Sequence, residues 1–115
     1  AIKNKEVFKT SVDNIVRDFI TPPDFYNLIQ AIIDAKSTNI ALDCYTKNPV
    51  SKFDLLSELK NKFGLIYDFD ENIDTIDATG AKVNYYSTNK ISGNIKYMPD
   101  NTSLDGIIQE MNCVL

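Results

Sequence analysis

The spacing of apolar residues changes period twice between residues 7 and 45. Residues 7–10 are short and β-prone, and after a polar turn residues 14–20 alternate, with Ile15, Arg17 and Phe19 on one face and Val16, Asp18 and Ile20 on the other. From Phe25 the repeat becomes helical, because Leu28, Ile29, Ile32 and Ile33 follow at the spacing that lines up one side of an α-helix. Thr21-Pro22-Pro23-Asp24 supplies the start: a threonine N-cap, prolines tolerated in the first turn, and an acid where the helix dipole favours one. The one-sided stripe predicts a helix that ends near Ala35 and packs on another element. A polar turn at 36–39 leads into residues 40–45, which have the length and alternation of a strand with Ile40, Leu42 and Cys44 on one side, and Lys47-Asn48-Pro49 breaks it.

The second half repeats this grammar. Ser51 with Asp54 three residues on resembles a capping box, Leu55, Leu56, Leu59 and Phe63 supply a buried helical face, and Gly64 stands where a left-handed cap is expected. Residues 65–69 read as a short strand and 68–77 as an acidic, solvated loop. A calcium loop of the EF-hand type needs glycine at its sixth position and glutamate at its twelfth, and those positions hold Ile73 and Thr79. Residues 82–88 read as the last strand, with Val83, Tyr85 and Ser87 on one face and Tyr86 on the other. After a turn containing Gly93 and the segment Tyr97-Met98-Pro99, Thr102-Ser103-Leu104-Asp105 starts a third helix whose apolar side is Leu104, Ile107, Ile108, Met111 and Leu115. The expected fold is α/β, a small α+β-like domain of about three helices packed on short strands, with residues 1–115 forming one domain.

Composition narrows the function classes. The longest apolar runs are too short to span a bilayer, and no basic segment precedes an apolar one as in a signal peptide, so a soluble, cytoplasmic protein without a membrane partner is expected. Lys and Arg number 12 against 16 Asp and Glu, a net charge of −4, and the dispersed basic residues offer no patch to a polyanion, which argues against nucleic acid. Histidine is absent, which removes every Ser/His, Cys/His and His-based metal constellation. Cys44 and Cys113 lack metal-ligand spacing and read as reduced core thiols.

Arg17 and Asp18 put one charge in the middle of each apolar strand face, and a buried charge requires a partner. One reading is an internal pair, with Asp13, Asp18 or Asp24 serving Arg17. The other is that Arg17 faces a cleft and binds a ligand phosphate, for which its planar fork of donors is suited. Tyr86 and Lys90 match the Y-x-x-x-K spacing of a catalytic pair, but Tyr86 lies in a β-prone run, and the glycines at 64, 80, 93 and 106 are too far apart to cradle a dinucleotide. Neither catalytic residues nor a cofactor site are therefore expected within this chain.

Three segments, in order, resemble the C-terminal part of the extended short-chain dehydrogenase/reductases, the NAD-dependent epimerase/dehydratase family. R-D-F-I-T-P-P-D at 17–24 is similar to that family's R-D-[FY]-[IV]-x-x-x-D before an apolar helix. N-I-A-L-D-C-Y-T-K-N-P-V-S-K-F-D-L-L at 39–56 looks like its strand, polar turn and helix start, and S-T-N-K-I-S-G-N-I-K-Y-M-P-D-N-T-S-L-D-G-I at 87–107 resembles its tail. The resemblance implies that the chain is the substrate-binding C-terminal fragment of a larger protein, inactive alone. The NAD or NADP, and the catalytic residues, would belong to an absent N-terminal Rossmann domain of the same polypeptide. The substrate implied is a nucleotide-sugar, with Arg17 and Tyr85 on its diphosphate. Sugar epimerases of the family often carry an Arg and an Asp flanking a glycine upstream of the tail. Ala78-Thr79-Gly80-Ala81 has neither, which leaves Lys82 as a substitute charge. A non-catalytic α/β domain used for protein association is the competing reading. A domain cut free of its Rossmann half exposes the surface that met it, so an exposed apolar patch and self-association, such as a homodimer, are expected of the isolated chain. The upstream coding sequence should specify a glycine-rich βαβ unit, and sequencing that shows none would end the enzyme reading.

Overall fold

The computed structural model describes residues 1–37, 39–73, 76–77, 80–81 and 83–115, with backbone only for 76–77 and 80–81. Among the described residues, three helices and seven short strands form a mixed α/β fold, ordered β1 (Phe8–Thr10), β2 (Val16–Arg17), α1 (Pro22–Asp34), β3 (Val50–Ser51), α2 (Lys52–Phe63), β4 (Tyr67–Phe69), β5 (Ile76–Asp77), β6 (Gly80–Ala81), β7 (Asn84–Tyr85) and α3 (Ser103–Val114). A 3-10 helix, Ile91–Ile95, precedes α3. Two compact units make up the chain: Ala1–Arg17, Ser51–Tyr85 and Leu115 in one, Asp18–Val50 and Tyr86–Val114 in the other. No helix among the described residues is long and apolar enough to cross a membrane.

In the first unit β1 pairs in parallel with β4, Phe8 opposite Tyr67, and β2 in parallel with β7, Val16 opposite Asn84 and Arg17 opposite Tyr85. β5 and β6 form an antiparallel pair. The start of α2 ties these pieces together, because the first amides of a helix have no partner within it. The Lys52 amide donates to the Ile15 carbonyl at 2.7 Å, Phe53 to Asn14 Oδ1 at 3.0 Å, and Asp54 to Ser51 Oγ at 3.2 Å. The expected cap is therefore present. At the far end Gly64 is left-handed at φ 70°, and the Gly64 and Leu65 amides close on the Lys60 and Leu59 carbonyls. That conformation favours glycine, as its position in the sequence foretells. Leu56 on this helix and Leu65 just after it are buried.

The second unit has its core at Leu28, Tyr45 and Tyr97, with Ala31 and Cys44 packed against it. Thr21 precedes α1 in extended conformation as expected, yet its hydroxyl makes no capping bond. Two prolines explain why little capping is needed: Pro22 and Pro23 carry no N–H, so two of the helix's unpaired donors do not exist. Only Leu28 of the apolar stripe is buried. Phe25, Ile29, Ile32 and Ile33 are 54%, 39%, 44% and 69% exposed, so among the described residues the expected packing of that stripe is not found. Residues 40–45 form no strand either, since a strand exists only when another backbone pairs with it. Cys113 is exposed, two residues beyond Met111 and so off the packed side of α3, which corrects its expected burial.

The α3 start is held by Ser103 N to the Asn48 carbonyl at 2.9 Å and by Asp105 N to Thr102 Oγ1 at 3.1 Å. Gly106 lies against the threonine that opens α1, and a Cβ there would stand 2.6 Å from Thr21 Cγ2. Gly106→Ala should therefore cost about 1–3 kcal/mol through overpacking. Thr21→Ser removes the opposing methyl, so in the double variant most of that loss should return. Denaturant unfolding of the four proteins checks this, and additive losses would locate the strain elsewhere.

Candidate functional site

Pairing of β2 with β7 sets Arg17 directly opposite Tyr85, two residues remote in sequence. Arg17 is half-buried and Tyr85 is 59% exposed. One guanidinium nitrogen donates to the Val16 carbonyl at 2.8 Å and to the Val83 carbonyl at 3.2 Å. The guanidinium carbon lies 5.8 Å from the centre of the Tyr85 ring, within range of a cation–π contact. The two carbonyls orient a planar fork beside a phenol at the surface, a donor set matched to phosphate oxygens. Lys82, the third residue expected here, lies outside the described residues, as do Ala78 and Thr79.

Two of the carboxylates expected as candidate partners for Arg17 are engaged elsewhere. Asp18 accepts from the Thr46 amide at 2.9 Å and from the Thr46 hydroxyl. Asp24 is fully buried and accepts from the Asp100 amide at 2.7 Å, so it does more than answer the helix dipole. Its other oxygen and the Thr21 hydroxyl have no partner among the described residues. Thr21 and Asp24 have the spacing of a capping box, the one sequence signal that marks them as a local pair.

The second unit also holds a polar chain that sequence reasoning missed. Tyr97, 2% exposed, donates its hydroxyl to the Tyr45 carbonyl at 2.5 Å and lies 3.5 Å from Cys44 Sγ. The Tyr45 ring meets Tyr97 edge-on at 5.1 Å, and the Lys90 ammonium stands 3.9 Å from the Tyr45 ring centre. Lys90 of the Y-x-x-x-K spacing is thus engaged with an aromatic face, while Tyr86 is exposed and outside any helix. Ser92, fully buried, donates to the Asp43 carbonyl at 2.7 Å, and Ser87 donates to the Asp43 carboxylate at 2.5 Å. Beside this network α1 and residues 94–100 flank an open cleft of about 930 Å³, lined by Asn27, Gln30, Asp34, Lys96 and Asp100 among others. Among the described residues no cluster of His, Cys, Asp and Glu is placed to hold a metal ion.

Comparison of the chain with protein-family models, curated proteins and solved structures finds no match.

Burial pushes the Cys44 thiol above its ordinary value of 9.0, with the Asp24 and Asp18 charges adding to the rise. Burial likewise raises the Tyr97 phenol above its ordinary 10.0, reinforced by its bond to Cys44. Desolvation lowers the Lys52 ammonium, which donates to the Ser11 carbonyl and hydroxyl at 2.5 and 2.8 Å; Asp13 opposes that shift. An acid raised in the folded state releases its proton first from the unfolded chain. Stability from Cys44 and Tyr97 is therefore full below pH 9.0 and falls as pH rises from there toward the raised folded values. Lys52 acts in the opposite sense, its lowered value favouring the folded chain as pH climbs toward 10.5. Unfolding midpoints between pH 7 and 11 should fall for the native chain and fall less steeply for Cys44→Ala; parallel profiles would show that the thiol does not titrate differently on folding.

Proposed function

We propose that this chain is the substrate-binding domain of an NAD(P)-dependent epimerase, dehydratase or reductase acting on a nucleotide-sugar in the cytoplasm. The observation that carries the proposal is the β2–β7 pairing, which joins Arg17 of the R-D-F segment to Tyr85 just before the tail segment. The resemblance in sequence names the same cation and phenol as diphosphate ligands, and the fold gives them one surface. On this reading the domain closes over the sugar nucleotide and sets the sugar ring against the nicotinamide held by the Rossmann half, a contribution through proximity. Lys82 adds charge at the same substrate. The chain alone binds no cofactor and turns nothing over.

The alternative, a non-catalytic α/β domain used for protein association, draws on the exposed apolar stripe of α1. That stripe also fits the enzyme reading, as the docking face of the partner domain.

Calorimetric titration of the intact gene product with UDP-, GDP-, CDP- and dTDP-sugars should identify one class that binds. Arg17→Ala should weaken it about ten-fold or more, the loss of a charge-assisted contact of about 1.5–3 kcal/mol. Arg17→Lys should recover only part of this, because an ammonium cannot bind an anion in bidentate fashion. Affinity unchanged in Arg17→Ala would remove Arg17 from the substrate site.

A further inference from the structure

Within the second unit, the start of α1 and the segment leading into α3 are joined by polar contacts. The Phe19 amide donates to Ser103 Oγ at 2.7 Å, the Asp100 amide to Asp24 Oδ1 at 2.7 Å, and Asn27 Nδ2 to Asp100 Oδ2 at 2.9 Å. Thr21 belongs to the same junction, since a Cβ on Gly106 would stand 2.6 Å from its methyl and 3.7 Å from its hydroxyl oxygen. Asp24 and Ser103 are fully buried and Thr21 is 7% exposed, so surface solvent does not reach them.

Among the described residues, Asp24 Oδ2 and Thr21 Oγ1 are the buried side-chain atoms left without a hydrogen-bond partner. They do not bond to each other, and the Thr21 hydroxyl caps no helix amide. They are neighbours nonetheless. Thr21 is the N-cap of α1 and Asp24 stands three residues on, about one turn along. Side chains on a helix lean toward its N-terminus, which brings Asp24 over Thr21. A carboxylate oxygen buried without a donor is costly, and such atoms in folded proteins are ordinarily matched by an ordered water or an ion. The chemistry selects between the two. A hard cation such as calcium takes about six to eight oxygens, whereas this junction offers two unengaged ones. Water needs only about two to four polar partners, and it can donate to a carboxylate while accepting from a hydroxyl.

We infer that the second unit holds an internal water molecule that bridges Asp24 Oδ2 and the Thr21 hydroxyl, as a built-in part of the junction between α1 and α3. Asp24 is then held on both oxygens, one by the Asp100 amide and the other by the water. The bridge joins residues 21 and 24 as a capping box would, through water in place of a direct bond. Gly106, close against the Thr21 methyl, closes the junction on the α3 side.

Crystals of the intact gene product that diffract well enough to show ordered water test this, together with relaxation dispersion of the water oxygen nucleus, which counts waters held long inside a protein. A water should lie about 2.7–3.2 Å from both oxygens. Thr21→Val keeps the shape of the side chain and removes the hydroxyl. It should lose that water, lower the count of long-lived waters by one, and lower the thermal midpoint by several degrees. Thr21→Ser keeps the hydroxyl and should keep the water, so the native and Thr21→Ser proteins decide the matter if Thr21→Val does not fold. A Thr21 hydroxyl turned directly onto Asp24, with no water between them, would overturn the inference. So would a water on one of the two oxygens only, a cation coordinated there by further oxygens, or an undiminished count of long-lived waters in Thr21→Val.

Discussion

Tyr97 lies at the centre of the second unit because its hydroxyl meets the Tyr45 carbonyl at 2.5 Å while its ring packs on Tyr45 and its oxygen lies beside Cys44. A buried carbonyl left without a donor costs about 1–3 kcal/mol, comparable to the loss of a core methylene or two. Residues 43–46 have no strand ladder to meet that demand. Side chains meet it instead: Ser92 on the Asp43 carbonyl, Tyr97 on the Tyr45 carbonyl, and Asp18 accepting from the Thr46 amide. Side chains thus stand in for a ladder along this segment.

The same demand shapes the helix starts. α2 recruits Asn14 and the Ile15 carbonyl to its first amides, and α3 recruits the Asn48 carbonyl, so each helix start fixes a loop far away in sequence. α1 takes the other route, with two prolines that remove donors outright. In the first unit the outcome bears on function: residues 14 and 15 are fixed by the α2 start, and β2 then runs beside β7 with Arg17 against Tyr85.

Much of the candidate site was legible and some was not. Arg17 stood out because a charge interrupted an apolar alternation, and Tyr85 only because the family resemblance implies a tyrosine just before the tail segment. Their adjacency was not readable from either stretch, since strand pairing depends on contacts between remote segments. Tyr97 gave no periodic signal, lying between a turn and a helix, and its burial follows only from the side chains that close around it. Asp24 satisfied a local helix rule so well that its second role, accepting the Asp100 amide, was hidden.

By itself the sequence determined the features that depend on neighbours a few residues apart: the three helices, the Ser51 and Thr102 caps, the left-handed Gly64, and the exclusion of histidine chemistry. These are set by local hydrogen bonds and backbone sterics. Tertiary structure alone decided which apolar residues are covered. The stripe of α1 and the alternation of 40–45 are equally apolar whether or not a partner is present, yet one stays exposed and the other forms no strand. Hydrophobic periodicity states what a surface would gain by burial; only the presence of a complementary surface determines whether it is buried.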